Sequence, residues 1–171
     1  MSHPPIQIVD DKDQPVGSAT VFEAQDQGLY HRIARVMIED PRRRVLLQKR
    51  QATKLTYPDC WDNSASGHVD FGETYEQAAA RELYEEMGIK GFPLMETKYY
   101  QTEHVFNGLV LRRFNKLYTT TVPAETPIMI QDEEVSEAAW FTIAEVNNLI
   151  TNYPDKVSDG LIEAFRQLYQ E

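Results

Sequence analysis

The sequence predicts a mixed α/β sandwich, in which helices pack on a β-sheet. Segments rich in β-branched and aromatic residues outnumber the helical segments, and the two kinds do not alternate regularly along the chain. This order favours a sheet covered by helices over a regular strand–helix repeat. With 171 residues, of which 42% are hydrophobic, the chain can bury a sizeable core, and we expect a single domain over residues 1–171.

Strands dominate the first third of the chain. The turn-rich segment 10–15 lies between two β-rich runs and predicts an N-terminal hairpin. A loop with three consecutive arginines separates a second pair of strands, and a short strand is expected beyond it. The predicted strands are 6–9, 16–21, 31–39, 45–50 and 60–66.

The remainder of the chain adds helices. A helix is expected over 75–87, followed by two long strands that meet at Asn107-Gly108, a dipeptide typical of tight β-hairpins. A short strand and two closing helices complete the predicted order. The strands of this part are 99–105, 109–121 and 138–141, and the closing helices are 143–150 and 156–169.

The first of these helices carries its own boundary signals. Thr74 followed by Gln77 is a capping-box pattern. Apolar residues recur every four positions from Ala79 to Met87 and form a stripe that can face a core. Gly88 can adopt the left-handed conformation that ends a helix.

An acidic face on the same helix indicates a cation site. Glu82 and Glu86 lie one turn apart, and Glu85 is three residues from Glu82, so three like charges share one region of the surface. Oxygen ligands of this kind suit magnesium, which completes its shell with water and substrate phosphates. Arg81 could pair with Glu73 in the preceding loop and hold the carboxylates in place. A solvated acidic face is the alternative interpretation of the three glutamates alone.

Segment 67–89 as a whole resembles the Nudix box, and the resemblance favours the cation site. That pattern specifies glycine, glutamate, arginine and apolar positions at fixed spacing, and this segment fills each of them. The matching residues are Gly67, Glu73, Arg81, Glu82, Leu83, Glu85, Glu86, Gly88 and Ile89.

The resemblance implies a fold, a cofactor and a set of roles. The fold would be an α/β/α sandwich with a mixed sheet, and the activity would be hydrolysis of a diphosphate bond in a nucleotide or related phosphorylated small molecule. By position, Glu82, Glu85 and Glu86 would bind Mg²⁺, or Mn²⁺ in its place, together with the carbonyl of Gly67. Arg81 would orient the glutamates. Such a hydrolysis needs divalent cations because the negative diphosphate repels an incoming hydroxide.

The flanking residues resemble the isopentenyl-diphosphate-isomerase-like branch of this family. The similar stretches are 30–32, 46–50, 58–68 and 132–140. A true isomerase has a cysteine before the first glycine of the box, where this chain has Ser66, and a Glu-any-Glu pair in the long strand after the box, which 107–111 lacks. These departures favour a hydrolase, with an isomerase as the alternative.

Several further residues are candidates for the site. Glu133 and Glu134 lie in a loop where Nudix enzymes often place a base or an extra metal ligand, although solvated loop acids are the simpler interpretation. Glu85 is the alternative base. Four basic side chains could contact a substrate phosphate, or could instead serve packing and hydrogen bonding within the protein. These candidates for substrate binding are His31, Arg50, Lys54 and His68.

Composition excludes some classes of partner. The net charge of −10 argues against a nucleic-acid polymer as the partner, and no apolar run reaches the length of a membrane span. The lone Cys60 fits a reducing compartment, and a cytoplasmic protein is expected. The expected partner is a phosphorylated small-molecule substrate, and the sequence leaves open monomer or homodimer. A nucleotide-binding regulatory module that does not hydrolyse its ligand is a further alternative.

Overall fold

The structure is a computed structural model that describes residues 3–170. Its strands form one hydrogen-bonded sheet. In sequence order, the helices occur between strands and after the last strand. The strands are β1 (Ile6–Val9), β2 (Pro15–Ala19), β3 (His31–Glu39), β4 (Val45–Arg50), β5 (Trp61–Asp62), β6 (Ala65–His68), β7 (Met95–Phe106), β8 (Leu109–Thr121) and β9 (Val135–Phe141). The helices are α1 (Val21–Asp26), α2 (Tyr75–Met87), α3 (Ile143–Asn152) and α4 (Asp159–Tyr169), with a 3₁₀ turn at Pro154–Lys156.

The sheet is mixed, as predicted. Strand β3 pairs antiparallel with β1, β4 and β6, but parallel with β8. Strands β7 and β8 form the long hairpin predicted at Asn107-Gly108, where φ is 48° and 82°. Both residues of that turn need positive φ, which explains why this dipeptide occurs there.

Strand β3 places a core on each side of the sheet. Ala34, Val36 and Ile38 pack in one core with the apolar stripe of α2. Met37 points the opposite way, into a second core with Leu161 and other side chains of α4. Because successive side chains of a strand face opposite sides, this single strand joins the two helical layers, and the α/β/α architecture is confirmed.

Helix α2 begins and ends where the sequence predicts. The Thr74 hydroxyl accepts a hydrogen bond from the Gln77 amide, and the Gln77 side chain accepts one from the Thr74 amide. Gly88 ends the helix with φ 67°. These local signals fix where α2 begins and ends, and they thereby help to determine which of its glutamates face inward.

The prediction of a strand over 16–21 is wrong at its last two residues. Strand β2 ends at Ala19, and α1 follows with a capping box between Thr20 and Glu23. The capping-box spacing was present in the sequence, but the β-branched residues around it favoured a strand. The neighbouring predictions for 6–9, 31–39 and 45–50 are confirmed.

Several other boundaries differ from the prediction. Segment 60–66 contains parts of two strands instead of one, because side chains take the place of ladder bonds between them: the Asn63 amide donates to the Asp62 side chain, and the Ser64 hydroxyl accepts from the Ile38 amide at 2.7 Å. The last helix begins at Asp159 instead of residue 156, because Ser158 caps it by accepting from the Leu161 amide. Strands β7 and β9 extend beyond their predicted bounds.

Within residues 3–170, none of the helices combines the length and the apolar character that a membrane crossing requires.

Candidate active site

A cavity of about 730 Å³ lies where α2, the loop after β4 and the start of α4 meet. This volume is within the range of small-molecule sites. Charged side chains from all three elements line it. The acidic ones are Asp62, Asp70, Glu82, Glu85, Glu86, Glu134 and Asp159, and the basic ones include Arg35, Arg50, Lys54, His68, Arg81 and Arg113.

Helix α2 turns two of its glutamates toward the protein interior. Glu82 and Glu86 are 7% and 6% exposed, as expected for residues one turn apart on a buried face. Glu85, three residues from Glu82, is offset around the helix, and its side chain is 49% exposed. The predicted cluster of three carboxylates is therefore split into a buried pair and an exposed neighbour.

Glu86 is the more deeply enclosed member of the pair. Its Oε2 atom accepts hydrogen bonds from the Gln48 side chain at 2.6 Å and from the Ser66 amide at 3.0 Å. Burial, together with the charge of Glu82, nevertheless raises the pKa of Glu86 well above its ordinary value. Burial also raises the pKa of Glu82, although Arg81 opposes the effect. Burial is the main cause of both shifts, because it removes the solvation that would otherwise stabilise the negative charge of these carboxylates.

Arg81 joins the loop to the helix as predicted. Its Nε and Nη2 atoms donate to the two carboxylate oxygens of Glu73, each at 2.9 Å. Its Nη1 atom donates to Glu82 at 2.7 Å and to Glu85 at 3.2 Å. Burial alone would lower the pKa of Arg81, but the hydrogen bonds with Glu73 and Glu82 raise it, so the guanidinium remains charged and fixes the carboxylates.

Gly67 lies against the carboxylate of Glu82. A Cβ atom at this position would be 1.9 Å from Oε1 of Glu82 and 2.1 Å from its carboxyl carbon. No side chain can occupy that space without displacing the glutamate. The box glycine therefore lets the backbone of β6 lie next to the carboxylate of Glu82.

The buried pair fits a divalent cation, although no ligand set is assembled in this structure. Among residues 3–170, no group of three or more His, Cys, Asp or Glu side chains is arranged as a metal site. The Oε1 atom of Glu82 is held by Arg81, and Glu85 points toward the same arginine. The fit rests on the two buried carboxylates and on the absence of a side chain at Gly67 beside Glu82.

The two loop candidates, Glu133 and Glu134, have different surroundings in the structure. Glu134 lines the cavity and forms an ion pair with Lys54. Glu133 is exposed, outside the cavity lining, and accepts a hydrogen bond from Gln131 at 3.2 Å. Of the two acids proposed as a base, the structure brings only Glu134 to the cavity.

The basic candidates also differ in whether they line the cavity. Arg50 lines the cavity and donates to the Thr56 carbonyl and to Asp62, so it also ties the following loop to β5. His68 lines the cavity, whereas His31 does not; His31 is fully buried, with Nδ1 hydrogen-bonded to the Leu29 carbonyl at 2.9 Å. The expectation that His31 contacts substrate is therefore not supported by its position.

Residues that the sequence analysis missed line the cavity beside α4. Arg35 is 4% exposed in the middle of β3, and Arg113 is buried in β8. Asp62 and Asp159 lie beside them. A single arginine within the apolar run 33–38 is the signal that could have identified Arg35, because such a charge is rarely buried without a function or a partner.

The fold and this site define a protein of the Nudix class. The NUDIX domain model matches residues 29–161, and the chain belongs to this family. A relative named isopentenyl-diphosphate delta-isomerase 2, from Photorhabdus laumondii, is 35% identical over 86% of this chain and 82% of its own length. An uncharacterised Nudix hydrolase of Pseudomonas aeruginosa is 34% identical over 77% of this chain and 75% of its own.

The fold is also shared with solved structures. The crystal structure of DR0079 from Deinococcus radiodurans has a TM-score of 0.80, with 19% identity over 96% of this chain and 99% of that one. The sequence relatives include proteins named as isomerases and proteins named as hydrolases at similar identity, and the chain is a Nudix-family enzyme.

Proposed function

We propose that this protein is a magnesium-dependent hydrolase that cleaves a diphosphate bond in a nucleotide or related phosphorylated small molecule. The observation that carries the proposal is the buried Glu82 and Glu86 pair, which lines a cavity that is also lined by Arg50, at the end of β4, and by Lys54, in the loop after it. A diphosphate could contact the basic side chains, while a cation between it and the glutamates would remove their repulsion.

Glu82 and Glu86 would hold the cation, with the Gly67 carbonyl and, after release from Arg81, Glu85 as further ligands. A bound Mg²⁺, or Mn²⁺, would supply the positive charge that neutralises the diphosphate oxygens during hydrolysis. Arg81 keeps the glutamates in place through its bonds to Glu73 and Glu82.

Glu134 is the favoured general base. It lies on the cavity wall, in the loop whose Gln131 amide donates to the Glu86 carbonyl at the end of α2, and its carboxylate is paired with Lys54. A carboxylate outside the buried pair would not be occupied by the cation, so it could accept a proton from an attacking water. Glu85 is the alternative base, since it also lines the cavity.

Isomerisation of a prenyl diphosphate is the second candidate, because an isomerase-named relative is 35% identical. The cavity argues against it. Ser66 lines the cavity beside Gly67, whereas the thiol of Cys60 is outside the lining and lies 3.5 Å from the Asp155 carbonyl oxygen. A hydroxyl is a much weaker acid than a thiol, and it is a poor proton donor to an alkene.

A substrate panel with and without Mg²⁺ tests the proposal. Nucleoside di- and triphosphates, nucleotide sugars, dinucleotides and prenyl diphosphates are incubated with the protein, and phosphate and pyrophosphate release are measured. Glu86→Gln should remove most of the release, whereas Glu76→Gln, on the exposed first turn of the same helix, should not.

Two outcomes would select other functions. Deuterium incorporation from heavy water into a prenyl diphosphate would establish the isomerase instead. Saturable nucleotide binding without any Mg²⁺-dependent product would establish a non-catalytic binding module.

A further inference from the structure

Arg35 is a buried cation without a carboxylate partner in residues 3–170. Its Nε atom donates to the Asn115 side chain at 3.0 Å, and no Asp or Glu oxygen of the described residues lies within 4.0 Å of it. Its two Nη groups donate no hydrogen bond to any described residue, although the side chain lines the cavity. Burying a charge is unfavourable unless it is paired, so the cavity end of Arg35 is suited to an anion.

Arg113, on the strand next to β3, adds a second incompletely satisfied guanidinium. Its Nη1 atom donates to Asp159 at 2.7 Å, but its Nε atom is buried with no partner in the described part of the chain. Burial lowers the pKa of Arg113; Asp159 opposes this change, and the charge of Arg35 adds to it. The two arginines therefore raise the positive potential of the same region.

The neighbouring carboxylates do not supply the missing charge. Asp62 is fully engaged: Oδ1 accepts from Asn63 and from the Ser158 hydroxyl, and Oδ2 accepts from Arg50. Asp159 is engaged by Arg113. Asp62 also interacts with the charge of Arg35, but without a hydrogen bond to it. At this end of the cavity three arginines, Arg35, Arg50 and Arg113, face these two carboxylates, so positive charge is in excess there.

The first turn of α4 strengthens the preference for an anion. A Cβ atom on Gly160 would be 2.2 Å from Nη1 of Arg35, so the absence of a side chain lets the guanidinium lie against the helix N-terminus. Helix N-termini carry partial positive charge and favour anions, whereas a cation there is unfavourable. An anion next to Arg35 would be attracted by both groups.

We propose that Arg35 and Arg113, with the first turn of α4, form a second anion site that binds a phosphate group of the substrate other than the diphosphate that is cleaved. The substrate class is then a diphosphate ester that carries a further phosphate group. The identity of the occupant rests on the proposed function, but the binding of phosphate to these arginines does not. Guanidinium groups suit this ligand because their planar donors match the geometry of phosphate oxygens.

Binding of inorganic phosphate in the presence of EDTA tests the site independently of catalysis. Phosphate should raise the Tm of the wild-type protein saturably, and Arg35→Gln should weaken the apparent affinity by about tenfold or more. Arg166→Gln, which removes a 59% exposed arginine on α4, should leave the affinity unchanged. No phosphate effect on the wild type, or equal weakening in both variants, would overturn the site.

A measurement on the wild-type protein covers the case in which Arg35→Gln does not fold. The side-chain Nε–H resonances of Arg35 and Arg113 should shift on phosphate addition, whereas that of Arg166 should not. Unchanged Arg35 and Arg113 resonances at saturating phosphate would overturn the proposal.

A matched pair of substrates distinguishes substrate-borne phosphate from free phosphate. One diphosphate ester carries a further phosphate, and the other has a hydroxyl in its place. Arg35→Gln should raise KM for the first about tenfold and leave KM for the second unchanged. If both KM values are unchanged, the assignment to the substrate is overturned even though hydrolysis itself stands.

Discussion

A Cβ atom on Gly67 would lie 1.9 Å from the Oε1 atom of Glu82. Strand β6 thus closely approaches helix α2 at the carboxylate that we assign to cation binding. The geometry of the site depends on this glycine directly.

Gly67→Ala should therefore impair the site more than the fold. The added methyl group must displace Glu82, and displacement of a functional group by about 1 Å can reduce rates about a hundredfold. Steady-state kinetics at several Mg²⁺ concentrations should show a lower kcat and a higher Mg²⁺ requirement. Gly17→Ala is the control, since a Cβ there meets nothing within 4 Å; equal activity of both variants would contradict the assignment.

Glu86→Gln should stabilise the metal-free protein while removing its response to Mg²⁺. The amide oxygen can still accept the bonds from Gln48 and Ser66, and the repulsion from Glu82 is lost. Thermal unfolding with EDTA should give a higher Tm than wild type, and the Mg²⁺-induced increase in Tm should disappear. A wild-type response to Mg²⁺ in this variant would rule Glu86 out as a ligand.

Arg81→Lys should lose the connection between loop and helix. Lysine keeps the charge but cannot donate to both oxygens of Glu73 and to Glu82 together. We expect a loss of about 1–3 kcal/mol in the free energy of unfolding and a marked fall in kcat. Denaturant unfolding and kinetics would check this, and a variant as stable and active as wild type would show that charge alone suffices.

Glu134→Gln should lower kcat by about a hundredfold or more without changing the Mg²⁺ concentration needed for half-maximal rate. Glu133→Gln is the matched control from the same loop, because Glu133 lies outside the cavity lining. Magnesium titrations of both variants and of Glu85→Gln separate loss of a base from loss of a ligand. Normal turnover of Glu134→Gln at saturating Mg²⁺ would leave Glu85 as the better candidate.

His31 should make the protein sensitive to acid. Burial lowers the pKa of His31 to about 4, although its bond to the Leu29 carbonyl opposes the shift. Arg113 and Arg35 add to the lowering, and the ring of His68 lies 5.3 Å away. The unfolded chain binds a proton on this residue below pH 6.5, but the folded protein does so only near pH 4. The contribution of His31 to the free energy of unfolding is therefore fully present above pH 6.5, and it is lost as the pH falls from 6.5 toward 4.

The depressed pKa of His31 corresponds to a loss of about 3 kcal/mol in the free energy of unfolding between pH 6.5 and 4. Unfolding measured across this range should show a shallower pH dependence in His31→Phe than in wild type. The comparison uses the slope with pH, so it is independent of any constant effect of losing the Leu29 bond. Identical slopes would show that His31 does not control the acid response.

The sequence by itself determined the parts of this protein that depend on local interactions. Thr74, Gln77 and Gly88 fix the ends of α2 through bonds within one or two turns, and Asn107-Gly108 fixes the β7–β8 turn through backbone conformation. The box spacing and helical periodicity place Glu82 and Glu86 on one face, and they place Arg81 where it can reach Glu73. Each of these relationships spans few residues, so spacing alone was sufficient to predict it.

The tertiary structure decided which candidates meet at the cavity. Glu133 and Glu134 are adjacent in sequence, yet only Glu134 reaches the cavity, because its carboxylate pairs with Lys54, eighty positions away along the chain. Arg35 and Arg113 line the same cavity although they are far apart in sequence, because β3 and β8 pair in parallel, with Arg35 opposite Leu117 and Arg113 opposite His31. The excess of positive charge around Arg35 depends on Asp62 and Asp159 being hydrogen-bonded to other partners. Long-range pairing of this kind leaves no periodicity in the sequence, since it depends on how the strands and helices pack.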